Sequence, residues 1–339
     1  MIVKNEENML ARCLDSVRPI VHQIVIVDTG STDATPTIAE HFGARMIQRP
    51  WDDHFARARN AGLEAVSAGW ILVLDADEEL DSDSAARLPA LLKAIPAQTG
   101  GLRLRIRNLQ PGGDLCRFTD QWTTRLFRAH PTIRYEGMIH EQVTPSILSG
   151  GWQVMEADLT ILHHGYAQIR VQGQASRSQR NLDLLLKALT LSPNDAYLLY
   201  QVGVTYHSMA QLQTAFDFLH RALEQPLDQL SPEVLEILHM KLAQLYLARD
   251  EYTSTLKHAR ASLHFNPENL VAMYLAALAL MFQNDIRGAY PFFVRIQQHP
   301  GGNLGDVDDL QTILAYCRGV LGMNPANEVL SAPFKPEDR

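Results

Sequence analysis

Two aspartates one residue apart, Asp75 and Asp77, follow the apolar run Trp70-Ile71-Leu72-Val73-Leu74. Carboxylates this close repel unless water solvates them or a cation sits between them. Hard oxygen donors of this kind suit Mg²⁺ or Mn²⁺, which usually bind together with substrate phosphates. Asp28 ends a second apolar run, Gln23 to Val27, and opens the polar turn Thr29-Gly30-Ser31-Thr32-Asp33. Farther along, His140-Glu141 and His163-His164 offer carboxylate and imidazole groups, which can take a proton near neutral pH or hold a metal. Each feature also has a structural reading: an acidic turn, a helix-capping aspartate, a hydrogen-bonded His-Glu turn, a core histidine. The bare Asp-x-Asp favours the structural one.

The elements that must carry these residues alternate through residues 1 to about 165. Met1-Ile2-Val3 reads as a strand end, and Met9, Leu10, Cys13, Leu14 and Val17 form one helical face. Gln23 to Val27 and Ala44 to Gln48 read as strands, with a helix through Ile38 and Ala39 between them, capped by Ser31 or Thr32. A helix from Phe55 to Ser67 leads into the Trp70 run. This is the pattern of a doubly wound sheet, whose ligands bind at the carboxyl ends of its strands. After Pro96, Leu102 to Arg107 alternates strictly, placing three arginines on one face, either solvated or turned toward an anionic acceptor. Gln121 to Arg128 and Asp158 to Leu162 are further strands. Arg125 and Arg128 fit either diphosphate binding or structural ion pairing. Asp52 and Asp53, beside Trp51, fit substrate contacts or, more simply, a solvated loop.

Met1-Ile2-Val3-Lys4-Asn5-Glu6-Glu7, Val27 to Thr35, Ala58-Arg59-Asn60-Ala61-Gly62 and Leu72 to Glu78 together resemble a family 2 glycosyltransferase in order and spacing. Gly137-x-Ile139-His140-Glu141-Gln142 and His164-Gly165-Tyr166 extend the likeness to about residue 166. They resemble the subgroup with C-terminal tetratricopeptide-like repeats, which includes bacteriocin S-glycosyltransferases and lipopolysaccharide-core glucosyltransferase-like proteins. The resemblance implies an α/β GT-A fold, Rossmann-like with a mostly parallel sheet. It further implies inversion at the anomeric carbon, a nucleotide-sugar donor such as a UDP-hexose, and Mn²⁺ or Mg²⁺. By position, Asp28 would contact the nucleobase and Glu6 would lie by the nucleotide. Arg57 and Asn60 would border the nucleotide or donor sugar. Asp75 would face the ribose and metal, Asp77 would ligate the metal directly and take part in catalysis, and His164 would complete the metal site. Glu141 would be the general base. The short first strand departs from the family pattern and reads as a truncated or misplaced start.

From about residue 170 a helical template replaces the strand signals. Gly203, Tyr206, Ala215, Leu219 and Ala222 match tetratricopeptide positions in register; Ala243, Tyr246, Thr255, Ala259, Ser262 and Pro267 repeat them, as do Ala277, Leu280, Ala289, Phe293 and Ile296. The expected organisation is a GT-A domain at 1–168, helical repeats at 169–323 and a flexible tail at 324–339. Such repeats would recognise a peptide, protein or glycan acceptor, or form a homodimer. The net charge of −8 in 339 residues argues against a large nucleic-acid footprint. No apolar run reaches the length of a membrane span. Three scattered cysteines and no signal peptide fit the cytoplasm, including a place peripheral to the inner membrane. Two other functions compete with sugar transfer: a repeat-based interaction scaffold with a degenerate transferase domain, and a metal-dependent nucleotidyl or phosphate-handling enzyme.

Overall fold

The computed structural model describes residues 1–66, 69–109, 118–164, 171–226, 230–299 and 307–322. The chain divides into two compact units, Met1–Leu184 and Leu185–Arg339. The expected junction at 168/169 and the tail at 324–339 lie outside the described residues, as do Gly165 and Tyr166.

The first unit opens with β1 (Ile2–Val3), α1 (Leu10–Val17), β2 (Val25–Asp28), α2 (Thr35–His41), β3 (Arg45–Gln48) and α3 (Phe55–Leu63). Strands β1, β2 and β3 pair in parallel in that order. Parallel neighbours need crossovers, and the amphipathic α1 supplies one, burying Leu10, Cys13, Leu14 and Val17. Although β1 has two residues, Met1 lengthens the pairing: its amino group donates to Val25 O at 2.9 Å, and its carbonyl accepts from Val27 N.

The remaining strands are β4 (Trp70–Leu72), β5 (Glu78–Leu80), β6 (Thr99–Leu109), β7 (Phe118–Arg128) and β8 (Gln153–His163), with α4 (Ser82–Ala94) after β5 and α5 (Thr144–Ser149) before β8. They form a sheet of order β4-β7-β6-β8-β5. Here β6–β8 is parallel and the other pairings are antiparallel. Parallel pairing thus holds for β1–β3 and one further pair, and not along the whole unit. A strand buried on both faces reads as a continuous apolar run whichever way its neighbours point, so the run at 70–74 carried no direction. Both faces are covered. Leu74, Leu102, Leu104, Ile106, Leu126, Leu159 and Ile161 pack on one side, and Val73, Phe127, Ile133, Val143 and Ile147 on the other. At Gly100 a Cβ would lie 2.4 Å from Trp152 Cβ, which is why α5 and the chain after it can close on β6.

The arginine row on β6 is an ion-pair ladder. Arg103 meets Glu156 at 3.4 Å, Arg105 meets Asp158 at 3.3 Å, and Arg107 meets Asp120 at 2.9 Å. The helix cap expected from Ser31 or Thr32 falls instead to Ala34, with no side-chain bond. Ser31 and Thr32 are engaged elsewhere, as described below.

The second unit is all helical. Within it lie α7 (Ala196–Ser208), α8 (Leu212–Leu223), α9 (Pro232–Leu247), α10 (Tyr252–Phe265), α11 (Leu270–Phe282), α12 (Ile286–Gln298) and α13 (Val307–Leu321); α6 (Val171–Leu191) spans the division. The pairs α7/α8, α9/α10 and α11/α12 are hairpins. Their connections turn through left-handed residues at Ala210, Asp250 and Asn284. Small template residues sit where helices cross: a Cβ on Gly203 would come 2.7 Å from Leu219 Cδ2, and Ala243, Ala259, Ala277 and Ala289 are fully buried. Asp195, Ser231, Asn269 and Asp285 cap α7, α9, α11 and α12 through their side chains.

An imidazole column crosses this unit. His258 and His239 share a contact between their Nδ1 atoms at 3.0 Å, and Tyr246 Oη lies 2.8 Å from His220 Nε2. Burial, then the neighbouring His239, Lys257 and His220, push the His258 pKa down to about 4. The unfolded chain, with an ordinary histidine, therefore binds the extra proton between pH 6.5 and 4. Stability from this group is complete above about pH 6.5 and falls as the pH drops toward 4. At pH 4.5 the loss amounts to about 2–3 kcal/mol. Thermal melts of the wild type and His258→Phe by far-ultraviolet circular dichroism should diverge with pH, the variant losing less on acidification. Parallel pH profiles would refute the assignment.

Candidate active site

The turn after β2 is built by reciprocal bonds with residues 5–7. Asp28 is buried, and its Oδ1 accepts from Ser31 N at 3.0 Å, Ser31 Oγ at 2.7 Å and Gly30 N at 3.3 Å. Asn5, at φ 57°, donates its N–H to Ser31 Oγ at 3.0 Å, and its Oδ1 accepts from Thr32 N at 2.8 Å. Glu6 N donates to Thr35 Oγ1 at 2.7 Å, while Glu7 N donates to Asp33 Oδ2 at 3.1 Å and Glu7 Oε2 accepts from Ala34 N at 3.0 Å. Asp28 thus organises its turn at the carboxyl end of a parallel strand, and it does not cap α2, whose N-cap is Ala34.

The Asp75 segment docks against this edge. Ala76 packs with Val3, Leu10, Leu14, Ile26 and Ala39, and Cys13 Sγ donates to Asp75 O at 3.4 Å. The Asp75 carboxylate lies between two arginines: Arg59 Nη2 at 2.9 Å on one oxygen and Arg125 Nη2 at 3.1 Å on the other. Arg125 Nη2 also donates to Glu78 Oε1 at 2.6 Å, and Glu78 Oε2 accepts from Asp75 N at 2.8 Å. Arg59 Nε reaches Glu141 Oε1 at 2.5 Å. Both guanidiniums are largely enclosed, at 10% and 13% side-chain exposure, whereas Asp75 keeps 35%. One edge of Asp75 therefore remains accessible. Burial would raise the Asp75 pKa, but Arg59 and Arg125 outweigh it and hold the carboxyl far below the usual range. Glu78 goes the other way: burial, reinforced by Asp75, pushes it up to about 7 against the pull of Arg125.

Glu141 stands in a closed turn, not in an extended segment. Glu136 and Gln142 exchange two backbone bonds, at 2.9 and 3.0 Å, and the loop between them passes through Gly137 at φ 99° and His140 at φ 51°. Helix α3 grips this turn with consecutive residues. Asn60 Nδ2 donates to Tyr135 O and its Oδ1 accepts from Tyr135 N, both at 2.9 Å. Arg59 lies over the Tyr135 ring at 5.4 Å while holding Glu141. Asn60 is thus engaged by main chain, and Arg57 is exposed beside Asp52 at 3.7 Å. Asp52 is further tied to Arg49 at 3.0 Å, which makes it an ion-paired loop residue.

At Asp77 the histidine partner is His163. Its Nε2 is 3.3 Å from Asp77 Oδ2, and its Nδ1 donates to Asn108 Oδ1 at 2.7 Å. His164 turns its ring to Glu79 at 3.0 Å and donates its N–H to Asp77 O. Burial lowers the His163 pKa, and Asp77 outweighs it, so the ring holds its proton more firmly than an ordinary histidine. Among the described residues, no three His, Cys, Asp or Glu side chains converge as a complete metal cage. Arg128 is engaged by packing: its guanidinium lies over Trp70 at 4.7 Å, and its Nε donates to Thr99 O.

Sequence reasoning did not single out Arg59 or Glu78, left Arg125 open, and chose His164 over His163. The register Glu78↔His163 between β5 and β8, a property of strand pairing, accompanies a His163 ring turned to Asp77.

Residues 1–132 match the sequence model of glycosyl transferase family 2. The N-terminal domain belongs to this family. A TPR repeat-containing protein of Synechococcus elongatus is 32% identical to the chain over 277 residues, 78% of the chain and 66% of that protein. Glycosyltransferase SunS of Bacillus phage SPbeta is 24% identical over 66% of the chain and 52% of its own length. An uncharacterized glycosyltransferase of Rickettsia felis is 42% identical over 83 residues, 24% of the chain and 29% of that protein. The chain thus spans between about two thirds and less than a third of these relatives. Among solved structures, MamA aligns at a TM-score of 0.37 and 16% identity, over 46% of this chain and 86% of that one. YrrB, a TPR protein with an unusual peptide-binding site, aligns at 0.38 and 17%, over 46% and 75%. Sequence and geometry meet in the glycosyltransferase domain: its matched segment contains Asp28, Arg59, Asp75, Asp77 and Arg125. Among the described residues, no helix is long and apolar enough to cross a membrane.

Proposed function

We propose that the protein is an inverting hexosyltransferase that moves a sugar from a nucleotide-sugar, such as a UDP-hexose, to a peptide, protein or envelope-glycan acceptor. The observation carrying this reading is the carboxylate cluster around two arginines: Asp75 lies between Arg59 and Arg125, Arg59 also holds Glu141, and the neighbouring Ala76 packs against Val3 and Ile26 of β1 and β2. In this reading Asp28 and Glu6 lie toward the nucleotide, the open edge of Asp75 toward the ribose, and Glu141 takes the proton of the acceptor nucleophile. The negative field of the carboxylates favours an oxocarbenium-like anomeric carbon, as in glycoside hydrolysis.

The donor set fits a divalent metal. Asp77 supplies a carboxylate, and the Nδ1–H bond from His163 to Asn108 fixes the tautomer that turns Nε2 toward Asp77. Two protein donors suffice where diphosphate and water complete the shell. Mn²⁺ or Mg²⁺ held there would neutralise charge on the leaving diphosphate. His163 is the better placed ring, with His164 adjoining it. The helical unit is read as an acceptor-recognition or dimerisation module. Cys13 and Cys317, both buried and unpaired, suit a reducing, cytoplasmic location.

A thermal-shift screen with UDP-, GDP- and TDP-sugars, with and without Mn²⁺, tests the reading. One nucleotide class at 100 times its Kd should stabilise the protein by about 2.7 kcal/mol. Asp77→Ala should remove the Mn²⁺-dependent part of that shift. Absence of a shift with every nucleotide would overturn the proposal.

A further inference from the structure

We infer that Arg59 is the positioning residue of this site, setting the Glu141 carboxylate against the nucleotide-side Asp75. The inference rests on the sugar-transfer reading above and adds a residue to it. Three observations carry it. One guanidinium presents two donors along one edge, Nε to Glu141 and Nη2 to Asp75, so the two carboxylates have a common planar rest. The guanidinium itself is fixed: it lies over the Tyr135 ring, and the neighbouring Asn60 clamps the Tyr135 backbone. Its remaining amino group, Nη1, is buried and has no hydrogen-bond partner among the described residues, so the side chain meets the two carboxylates at the expense of full satisfaction. A buried polar group left partly unsatisfied is costly, and such costs are tolerated where geometry serves a site.

The fork matters more than the charge. A lysine at 59 would keep the positive charge but has a point-like ammonium on a flexible stem, and it cannot span two carboxylates in one plane. Glu141 comes from the loop between β7 and α5, Asp75 from the turn after β4, and Arg59 from α3. The rigid helix therefore sets the relative placement of two groups that separate segments deliver.

A double-mutant cycle between Arg59→Lys and Glu141→Gln tests this, with nucleotide affinity measured alongside transfer or donor-hydrolysis rates. Arg59→Lys should lower kcat about 100-fold with the donor KM changed by less than about threefold, and should add less than about threefold in the Glu141→Gln background. A full loss in both backgrounds, or unchanged kcat in the single variant, overturns the inference. A second measurement needs no substitution at 59. In the wild-type protein labelled with ¹⁵N, the Arg59 Nε–H should be protected from exchange, and Glu141→Gln should weaken that protection. An Arg59 Nε–H that exchanges as fast as those of exposed arginines in the wild type overturns the inference as well. If Glu141→Gln transfers sugar as fast as wild type, the base assignment fails; if only the cycle is additive, that assignment stands and the role of Arg59 alone falls.

Discussion

Glu141→Gln is expected to lower sugar transfer by about 10²- to 10⁴-fold, the usual contribution of a positioned general base, while leaving nucleotide affinity within a few-fold. Glutamine keeps the shape of the side chain, and its carbonyl can still accept from Arg59 Nε. The turn that presents it is closed by backbone bonds between Glu136 and Gln142, which the substitution does not touch. What disappears is the capacity to take a proton. Loss of one charged partner of Arg59 should lower stability by about 1–3 kcal/mol, so the rate must be measured well below the melting temperature. Steady-state transfer together with calorimetric nucleotide binding separates the two effects. Activity within tenfold of wild type would move the base to another residue.

The second large effect is on stability. Arg125→Leu removes the cation between Asp75 and Glu78, and Glu78 is almost wholly enclosed, at 2% side-chain exposure. Breaking a buried pair by deleting one partner costs about 3–5 kcal/mol, because the other charge is left without compensation. Asp75 retains Arg59, so the penalty falls on Glu78. That group has an escape: its pKa is already pushed up to about 7, and without Arg125 it rises further. A carboxyl whose folded pKa lies above the unfolded one binds more protons when folded, so its contribution becomes less favourable as pH rises between those values. The variant should therefore be most impaired near pH 8 and partly recover near pH 6, where Glu78 protonates. Chemical denaturation of both proteins at these two pH values would show it. A pH-independent difference, or none, would mean that Arg125 is dispensable for holding Glu78.

The sequence carried the elements well because local patterns specify them. The 3.6-residue spacing of Leu10, Cys13, Leu14 and Val17 gave α1, the Val25–Asp28 run gave β2, and the small residues from Gly203 to Ala289 gave the hairpins. The Asn5-Glu6-Glu7 and Asp28–Thr35 motifs, far apart in sequence, proved to be two halves of one interlocked turn. Their identities were visible in the chain; the bonds between them were not.

The Asp75-x-Asp77 pair was visible from the start, as was the chemistry two adjacent carboxylates can do. So were Glu141 and the two histidines as candidates, because residue type alone fixes which groups can take a proton or hold a cation. Tertiary structure decided the partners. Arg59 meets Asp75 and Glu141 across 16 and 82 residues of sequence, Arg125 meets Glu78 across 47, and His163 meets Asp77 across 86. Such contacts depend on strand register and helix docking. A one-residue shift in the pairing of β5 with β8 would exchange which histidine faces Asp77 without altering any local pattern.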